Sequence, residues 1–569
     1  ELGTVNQPTS TTCRFRLGSL GRAKDGCSGQ PGAMSILSFV ALSDWFLLAV
    51  VLASLLYIRA TQYRAYWKSQ KLVHEKLSLF FGPQLKHLFK PFHIVDQELC
   101  KKHGRLFGSF EDGKPVLYVA QPDLIKLVLV KDASKSQRKV VRSEDPLLDN
   151  LLPNVEPEKW RKIRSATSPA FTTSKLRKMQ AIIDSCAALL SKRMKGVARE
   201  SQDIDLKGFF GQYTFNSVAK CSFGANLPPN SPEEKSMIEG AKCALFVRIT
   251  PLIVLKALLV KLSQAFHERF FNPEAFNFYK HATLNIIQKR EKNKIKNEDF
   301  LQIMLNAKEA SRIHSEPSRH SVLSPEEESS PLKPENVKNL TEDEALAQCV
   351  LFFLAGQDAT SSTLSLVTYM LALNPGVQDK LHAEVDECFR KHGNTPSYDE
   401  ISKLPYLDCV VSEALRLMPT ATRLERAPTE DYVLGDTGIK VPRDCSIVIP
   451  IYAMHNDPDF FPEPDVFNPD RFSKENVGSI GQYTYLPFGS GPRNCIGMRF
   501  AMQILKTGLL HAVHSAQFVR CPRTKVTPEF QAGFGLLQAK ELFVGIRERN
   551  NYMEDSSSIP PHPKLTEEH

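Results

Sequence analysis

No two of the twelve cysteines in this chain stand in a C-x-x-C pair. That absence excludes the paired spacings of zinc modules and of dithiol redox sites. The scatter is that of reduced thiols facing a cytosolic compartment, each by default a small buried hydrophobe. A glycine fingerprint for a nucleotide cofactor is missing too, so any electrons the chain uses arrive from outside it. There is no internal repeat, no zinc-finger spacing and no aromatic-plus-basic RNA signature. The formal net charge of +9 is too diffuse to argue for nucleic acid, although it suits an acidic partner or an anionic membrane.

What is present starts with one long apolar run. From Ile36 to Ile58, 23 residues carry a single charge, Asp44. As a helix the run extends about 35 Å at ~1.5 Å per residue, enough to cross a bilayer. Arg59, Arg64, Lys68, Lys71 and Lys76 follow it, which places everything downstream on the cytosolic side. Residue 1 is Glu and the first methionine is Met34. Residues 1–33 therefore read as upstream-translated or non-native sequence, 34–58 as a transmembrane signal anchor and 59–82 as a linker. A cleaved signal peptide fits less well, because no small-residue cleavage site follows; a buried core helix stays open.

The remainder, 83–548, reads as one large α+β domain, mostly α. "KPVLYVAQPD" (114–123) is extended text bounded by Gly113 and Pro122. Helical periodicity then dominates, as in "KLRKMQAIIDSCAALLSKRMKGV" and "TEDEALAQCVLFFLAGQDATSSTLSLVTYMLALN". The second is apolar on most faces, so it predicts a helix buried through the core. Leu340–Thr341 with Glu342 and Asp343 opens it and Asn374–Pro375 stops it. Residues 309–339 are rich in Ser, Pro and charge and predict a disordered loop; 549–569 predict a disordered tail.

The chemistry concentrates in "FGSGPRNCIG" (488–497), which opens onto an apolar helix. Cysteine ligates as thiolate, which backbone N–H groups and a positive helix end stabilise. Gly491 lets something flat approach the backbone, Arg493 offers a cation for an acidic group on it, and Phe488 offers an aromatic wall. A haem has those needs: iron on the sulfur of Cys495, propionate on the arginine.

This loop closely resembles the haem-binding signature of the cytochrome P450 family, F-x-x-G-x-R-x-C-x-G. Phe488, Gly491, Arg493, Cys495 and Gly497 match at every defined position. Other motifs of the family follow in order. E-x-x-R occurs five times, but only Glu413–Arg416 lies on an apolar helix about 80 residues before the cysteine. Arg471 in "FNPDRF" resembles the third member of that structural charge network. "AGQDATS" (355–361) resembles the family's oxygen-binding stretch. It implies Ala355 and Gly356 as room above the iron and Asp358 as the acid that helps deliver protons. Ala359 departs from the usual threonine, and Thr360 next door points about 100° away. Trp160 and Arg164, one turn apart, resemble the pair that reaches a haem propionate. Arg426 resembles a further propionate arginine, and Arg138 another. The likeness covers roughly 75–548 and is strongest to the microsomal drug-metabolising and thromboxane-synthase clan. The proline-rich hinge expected after the anchor is reduced to Gly82–Pro83.

The resemblance implies a single large cytochrome P450 fold with a small β region and an N-terminal transmembrane helix, holding haem b (iron protoporphyrin IX). It implies a monooxygenase that inserts one oxygen atom from O2 into a lipophilic small molecule. The thiolate favours O–O cleavage. Electrons would come from NADPH through NADPH–cytochrome P450 reductase, with cytochrome b5 as a possible second donor, at the endoplasmic reticulum membrane. Lys159, Arg161, Lys162, Arg499 and Lys506 are candidate docking cations. Segment 251–260 is a candidate membrane contact, and Thr420, Ala421, Thr422, Gly533 and Phe534 fall where the family lines its pocket. Two other readings stay open: a haem isomerase or dehydratase that rearranges a substrate peroxide, and a haem-binding protein without turnover.

Overall fold

The computed structural model describes residues 65–76, 84–87, 89–111, 114–137, 146–224, 273–295, 299–315, 340–443 and 445–549, with 50, 51, 54, 231, 246, 247 and 297 besides. The chain divides into Glu1–Arg59 and Ala60–His569. Residues 50, 51 and 54 are helical; the rest of the anchor segment, Gly82–Pro83, Arg138 and 251–260 lie outside the described residues.

In the second unit the main helices are α1 (Phe92–His103), α2 (Pro157–Thr167), α3 (Thr173–Arg199), α4 (Leu206–Phe223), α5 (Pro273–Asn293), α6 (Phe300–Ser315), α7 (Glu342–Leu373), α8 (Pro375–His392), α9 (Pro405–Leu417) and α10 (Met498–Ser515). The largest sheet has five strands: β1 (Leu106–Glu111), β2 (Lys114–Val119), β3 (Ser136–Gln137), β4 (Leu424–Pro428) and β5 (Ser446–Ile449). Their order is β1–β2–β5–β4–β3, with β2 and β5 parallel and the other neighbours antiparallel. A three-stranded sheet places Phe543–Arg547 between Gln517–Val519 and Asp203–Asp205. Helices thus predominate over small sheets, as the sequence predicts.

The expected core helix is α7. Thr341 Oγ1 accepts from the Glu344 amide at 3.2 Å and Glu344 accepts from the Thr341 amide at 3.0 Å, a reciprocal cap that satisfies two otherwise orphaned donors. Pro375 starts α8 directly after Asn374 and ends the run. Among the described residues α7 is the helix long and apolar enough to cross a membrane, but its most apolar stretch is 72% buried inside the protein. It packs against α4 and α10. α4 and α10 approach closely because Gly508 leaves room for the Tyr213 ring, 2.5 Å from where a Cβ would stand. The Tyr213 hydroxyl donates to the Ile504 carbonyl at 2.9 Å.

Two boundaries differ from the expectation. Residues 309–315 are not loop but the last turns of α6; the Ser/Pro-rich text begins only after Ser315, and 316–339 lie outside the described residues. Part of the expected linker belongs to the second unit. Trp67 is fully buried, its Nε1 donates to the Ser109 carbonyl at 2.8 Å, and its ring fills the space Gly108 leaves on β1. A tryptophan so placed fixes the chain well before residue 83.

The charge network forms as the motif implies. Arg416, fully buried, donates to Glu413 at 2.7 and 2.9 Å, to the His455 carbonyl at 2.8 Å and to the Pro464 carbonyl at 2.8 Å. Arg471 Nε lies 3.4 Å from Glu413, with 13% of its side chain exposed. We expect Arg416→Ala to cost about 3–5 kcal/mol, because it strands the Glu413 charge and two carbonyls in the core. That approaches a whole domain stability of roughly 5–15 kcal/mol. Arg471→Ala is expected to cost less, its charge being reachable by water. Urea unfolding of the two variants checks the ranking; equal losses would contradict it.

Candidate functional site

The cysteine loop runs from Leu486 into α10. The Gly489 amide donates to the Leu486 carbonyl at 3.0 Å, the Cys495 amide to the Phe488 carbonyl at 2.9 Å and the Asn494 amide to the Gly491 carbonyl at 3.1 Å. Gly489 (φ 71°) and Gly491 (φ 74°) take left-handed conformations, which a side chain would strain. Gly491 does more. A Cβ there would lie 2.0 Å from the Leu129 carbonyl oxygen. Its bare side therefore admits the backbone of a neighbouring segment.

Arg164 on α2 holds the loop from one side, donating at 2.9 Å to both the backbone carbonyl and the side-chain oxygen of Asn494. His455 holds it from the other. Its Nδ1–H donates to the Arg416 carbonyl at 3.2 Å, and its Nε2 accepts from the Leu486 amide at 2.8 Å. Burial, then the nearby Arg416 charge, lowers the pKa of this histidine to about 3, so it stays neutral. It couples the charge network of α9 to the start of the loop, a link with no local sequence signal.

Cys495 is exposed, but to a space walled by protein closely enough for burial to push the thiol up. The Gly497 backbone and the Arg164 charge pull the other way. Phe171 joins the loop to α7: it lies 3.9 Å from the Cβ position of Gly497 and stacks on Phe352 at 4.9 Å. Along the middle of α7, Leu351, Phe352, Gly356 and Ala359 are half-buried and Ala355 is exposed, while the residues between them are buried. A 3–4 spacing makes these one open, apolar face of an otherwise enclosed helix.

Ala355 and Ala359 occupy that face; Asp358 and Thr360 do not. Asp358 is fully buried, with a Gln538 amide donating to Oδ2 at 2.7 Å and the Lys207 ammonium 3.1 Å from Oδ1. The acid expected to help deliver protons is thus in an ion pair with the start of α4, and Lys207 also donates to Gln538. Neither partner was visible in the sequence, since both are remote from the motif. Gly356 likewise differs from its expected role. A Cβ there would meet the Val218 side chain of α4 at 3.4 Å, an ordinary contact that the packing of α4 on α7 would accept.

The arrangement fits haem. The Arg493 guanidinium, half-buried, stacks on the Trp160 ring with 4.3 Å to the centroid and makes no ion pair with a carboxylate among the described residues. Burial, then the Arg161 charge, lowers its pKa to about 10. A partly desolvated cation beside an available thiol and an apolar wall suits a flat anion-bearing ligand. Arg426 is buried on β4, donating to the Glu425 carbonyl at 2.9 Å. Arg164 is committed to Asn494, so the loop, and not a propionate, takes its described hydrogen bonds. Of the docking cations, Arg161, Lys162 and Arg499 are exposed. Lys159 and Lys162 reach Glu344 at 3.3 and 3.0 Å. Lys506 is buried against Asp408, which removes it from any docking surface.

A family model described as cytochrome P450 matches residues 75–544. The chain is 34% identical over 515 residues to cytochrome P450 3A9 of Rattus norvegicus, covering 89% of this chain and 97% of that protein. It is 35% identical over 499 residues to cytochrome P450 3A2 of the same organism, covering 87% and 94%. To cytochrome P450 3A56 of Fundulus heteroclitus it is 34% identical over 509 residues, covering 88% and 97%.

The two glycines predict opposite outcomes. Gly491→Ala is expected to displace the cysteine loop and lower haem content severalfold, because backbone cannot yield as a side chain can. Gly356→Ala is expected to load normally. The ratio of haem to protein absorbance in purified samples reads both; a fully loaded Gly491→Ala would contradict the packing account.

Proposed function

This chain belongs to the cytochrome P450 family, monooxygenases whose haem b is held by a cysteine thiolate, and from that premise we propose a membrane-anchored enzyme of lipophilic small molecules. It inserts one oxygen atom from O2, with electrons passed from NADPH by a flavoprotein reductase at the endoplasmic reticulum membrane. The observation that carries this reading is the Cys495 loop joined to the half-open, apolar middle of α7 through Phe171, which lies 3.9 Å from the Cβ position of Gly497 and stacks on Phe352 at 4.9 Å. Haem, bound through that thiolate, supplies the redox chemistry of dioxygen activation.

The chain's own residues do the rest. Arg493, spread on Trp160, offers its charge to a propionate, and Arg426 is the second such cation. Phe488 walls the cysteine side. Ala355 and Ala359 keep the opposite wall low and apolar, so that a lipophilic molecule displaces water there. Asp358 holds a proton-relay position one helix step off the open face. Its Oδ1 faces the Lys207 ammonium at 3.1 Å, the group with which it would exchange a proton. Arg161 and Arg499, exposed near the loop, are the cations an acidic reductase surface would meet.

One observation favours a second reading. With alanine at 359, no hydroxyl stands on the open face where the family usually has one, so a substrate that brings its own peroxide would need no proton delivery. The two readings separate in one assay of full-length protein with reductase and NADPH. We expect NADPH-dependent product together with peroxide release, and Ala359→Thr to raise product per NADPH and to lower that release. Product formed from a substrate hydroperoxide without NADPH would favour the isomerase; tight coupling unchanged by threonine would remove any role for that hydroxyl.

A further inference from the structure

Behind Arg426 the five-stranded sheet carries a buried charge cluster that the function above does not use. Register sorts the side chains of β4. Glu425 pairs with Val448 on β5, which pairs with Tyr118 on β2, so these three share one face. Tyr118 and Val448 pack there with Val95 and Leu99 of α1. Leu424 and Arg426 pair with Ile449 and Ile447 on the opposite face. That face looks toward the cysteine loop. Ile447 and Ile449 share a core with Leu486, and Leu424 Cδ1 lies 3.5 Å from where a Cβ on Gly489 would stand.

Arg423, just before β4, ties the first face down. Its side chain is 6% exposed. A guanidinium has five N–H donors, and here all of them are used. Nε donates to Asp96 of α1 at 2.9 Å. One terminal nitrogen donates to Glu111 of β1 at 3.0 Å and to Glu425 at 3.3 Å. The other donates to the Tyr118 hydroxyl at 2.7 Å and to Asp96 again. One side chain thus joins α1, β1, β2 and β4. An ammonium has three donors on one nitrogen and cannot hold that set. Three carboxylates gathered on one buried cation are costly to desolvate. What they fix is the start of β4, directly ahead of Arg426.

We propose that Arg423 is a positioning residue for the haem: from behind the sheet it sets where the Arg426 guanidinium stands on the cysteine side. The inference rests on the reading of Arg426 as a propionate cation. A cation so placed favours the reduced iron, which carries one positive charge fewer, so its position tunes how readily an electron enters. Position and field can be separated, because Arg423→Lys and Tyr118→Phe both keep the formal charge of the cluster while loosening its hold on β4.

The test is potentiometry of haem-loaded full-length protein with redox dyes, followed by absorbance; it needs neither substrate nor turnover. Arg426→Met is expected to lower the ratio of reduced to oxidised haem at a fixed applied potential by roughly tenfold, as for a unit charge lost at an effective dielectric of about 20. Arg423→Lys and Tyr118→Phe are each expected to lower it roughly twofold, as for a charge that retreats by about 1 Å. Neither is expected to change it further once Arg426 is Met, because both act through that residue. If Arg423→Lys does not load haem, Tyr118→Phe alone decides. A wild-type ratio in Tyr118→Phe overturns the proposal, and so does a shift that persists in the Arg426→Met background. A ratio that Arg426→Met leaves unchanged would overturn the role given to Arg426, and the proposal with it.

Discussion

Everything in this structure that bears on function depends on one short closure, the Cys495 amide bonded to the Phe488 carbonyl at 2.9 Å. It turns the chain back just before α10, between Phe488 and the thiol-bearing residue. The turn needs two left-handed residues, and Gly491 also needs to be bare because the Leu129 carbonyl presses against it. Arg164 fastens the loop through Asn494. His455 fastens its start, and through it the loop inherits the rigidity of the buried Glu413–Arg416 pair. The charge network is remote from the chemistry yet governs where the sulfur stands.

Charge is arranged around the site with the same economy. Burial alone would keep the thiol protonated; iron ligation is what fixes it as thiolate, with a proton released on binding. Among the described residues Arg493 has no carboxylate partner, and its cost in the protein is offset by the Trp160 ring. Asp358 is the opposite case. It is tied to Lys207 and Gln538, which draws the start of α4 and the C-terminal segment onto the middle of α7. The acid of the motif therefore also holds the wall of the space it serves.

Much of this was legible in the sequence wherever the cause is local. The α7 cap and its stop at Pro375, the β2 strand and the cysteine loop each have their signal within a few residues. What escaped has its cause far along the chain. Lys207 meets Asp358, His455 meets Leu486, Leu129 meets Gly491 and Trp67 meets Gly108 only once the fold is formed. For the same reason the surroundings of the motif residues could not be read from the motifs. Gly491 is bare for a neighbouring segment of protein, and Lys506, read as a surface cation, is buried by Asp408. The α6 helix runs on through 309–315 because a polar composition does not by itself end a helix; proline does, and the first one comes at Pro317.

The central claim is that Cys495, and no other thiol, holds the iron. The carbon monoxide difference spectrum of the reduced protein reads the axial ligand directly, because a thiolate displaces the main absorption band far to the red. The account predicts that displaced band in the wild type and its loss in Cys495→Ser at comparable soluble yield. A serine variant that kept the band would mean that another residue carries the metal, and the site described above would be the wrong one.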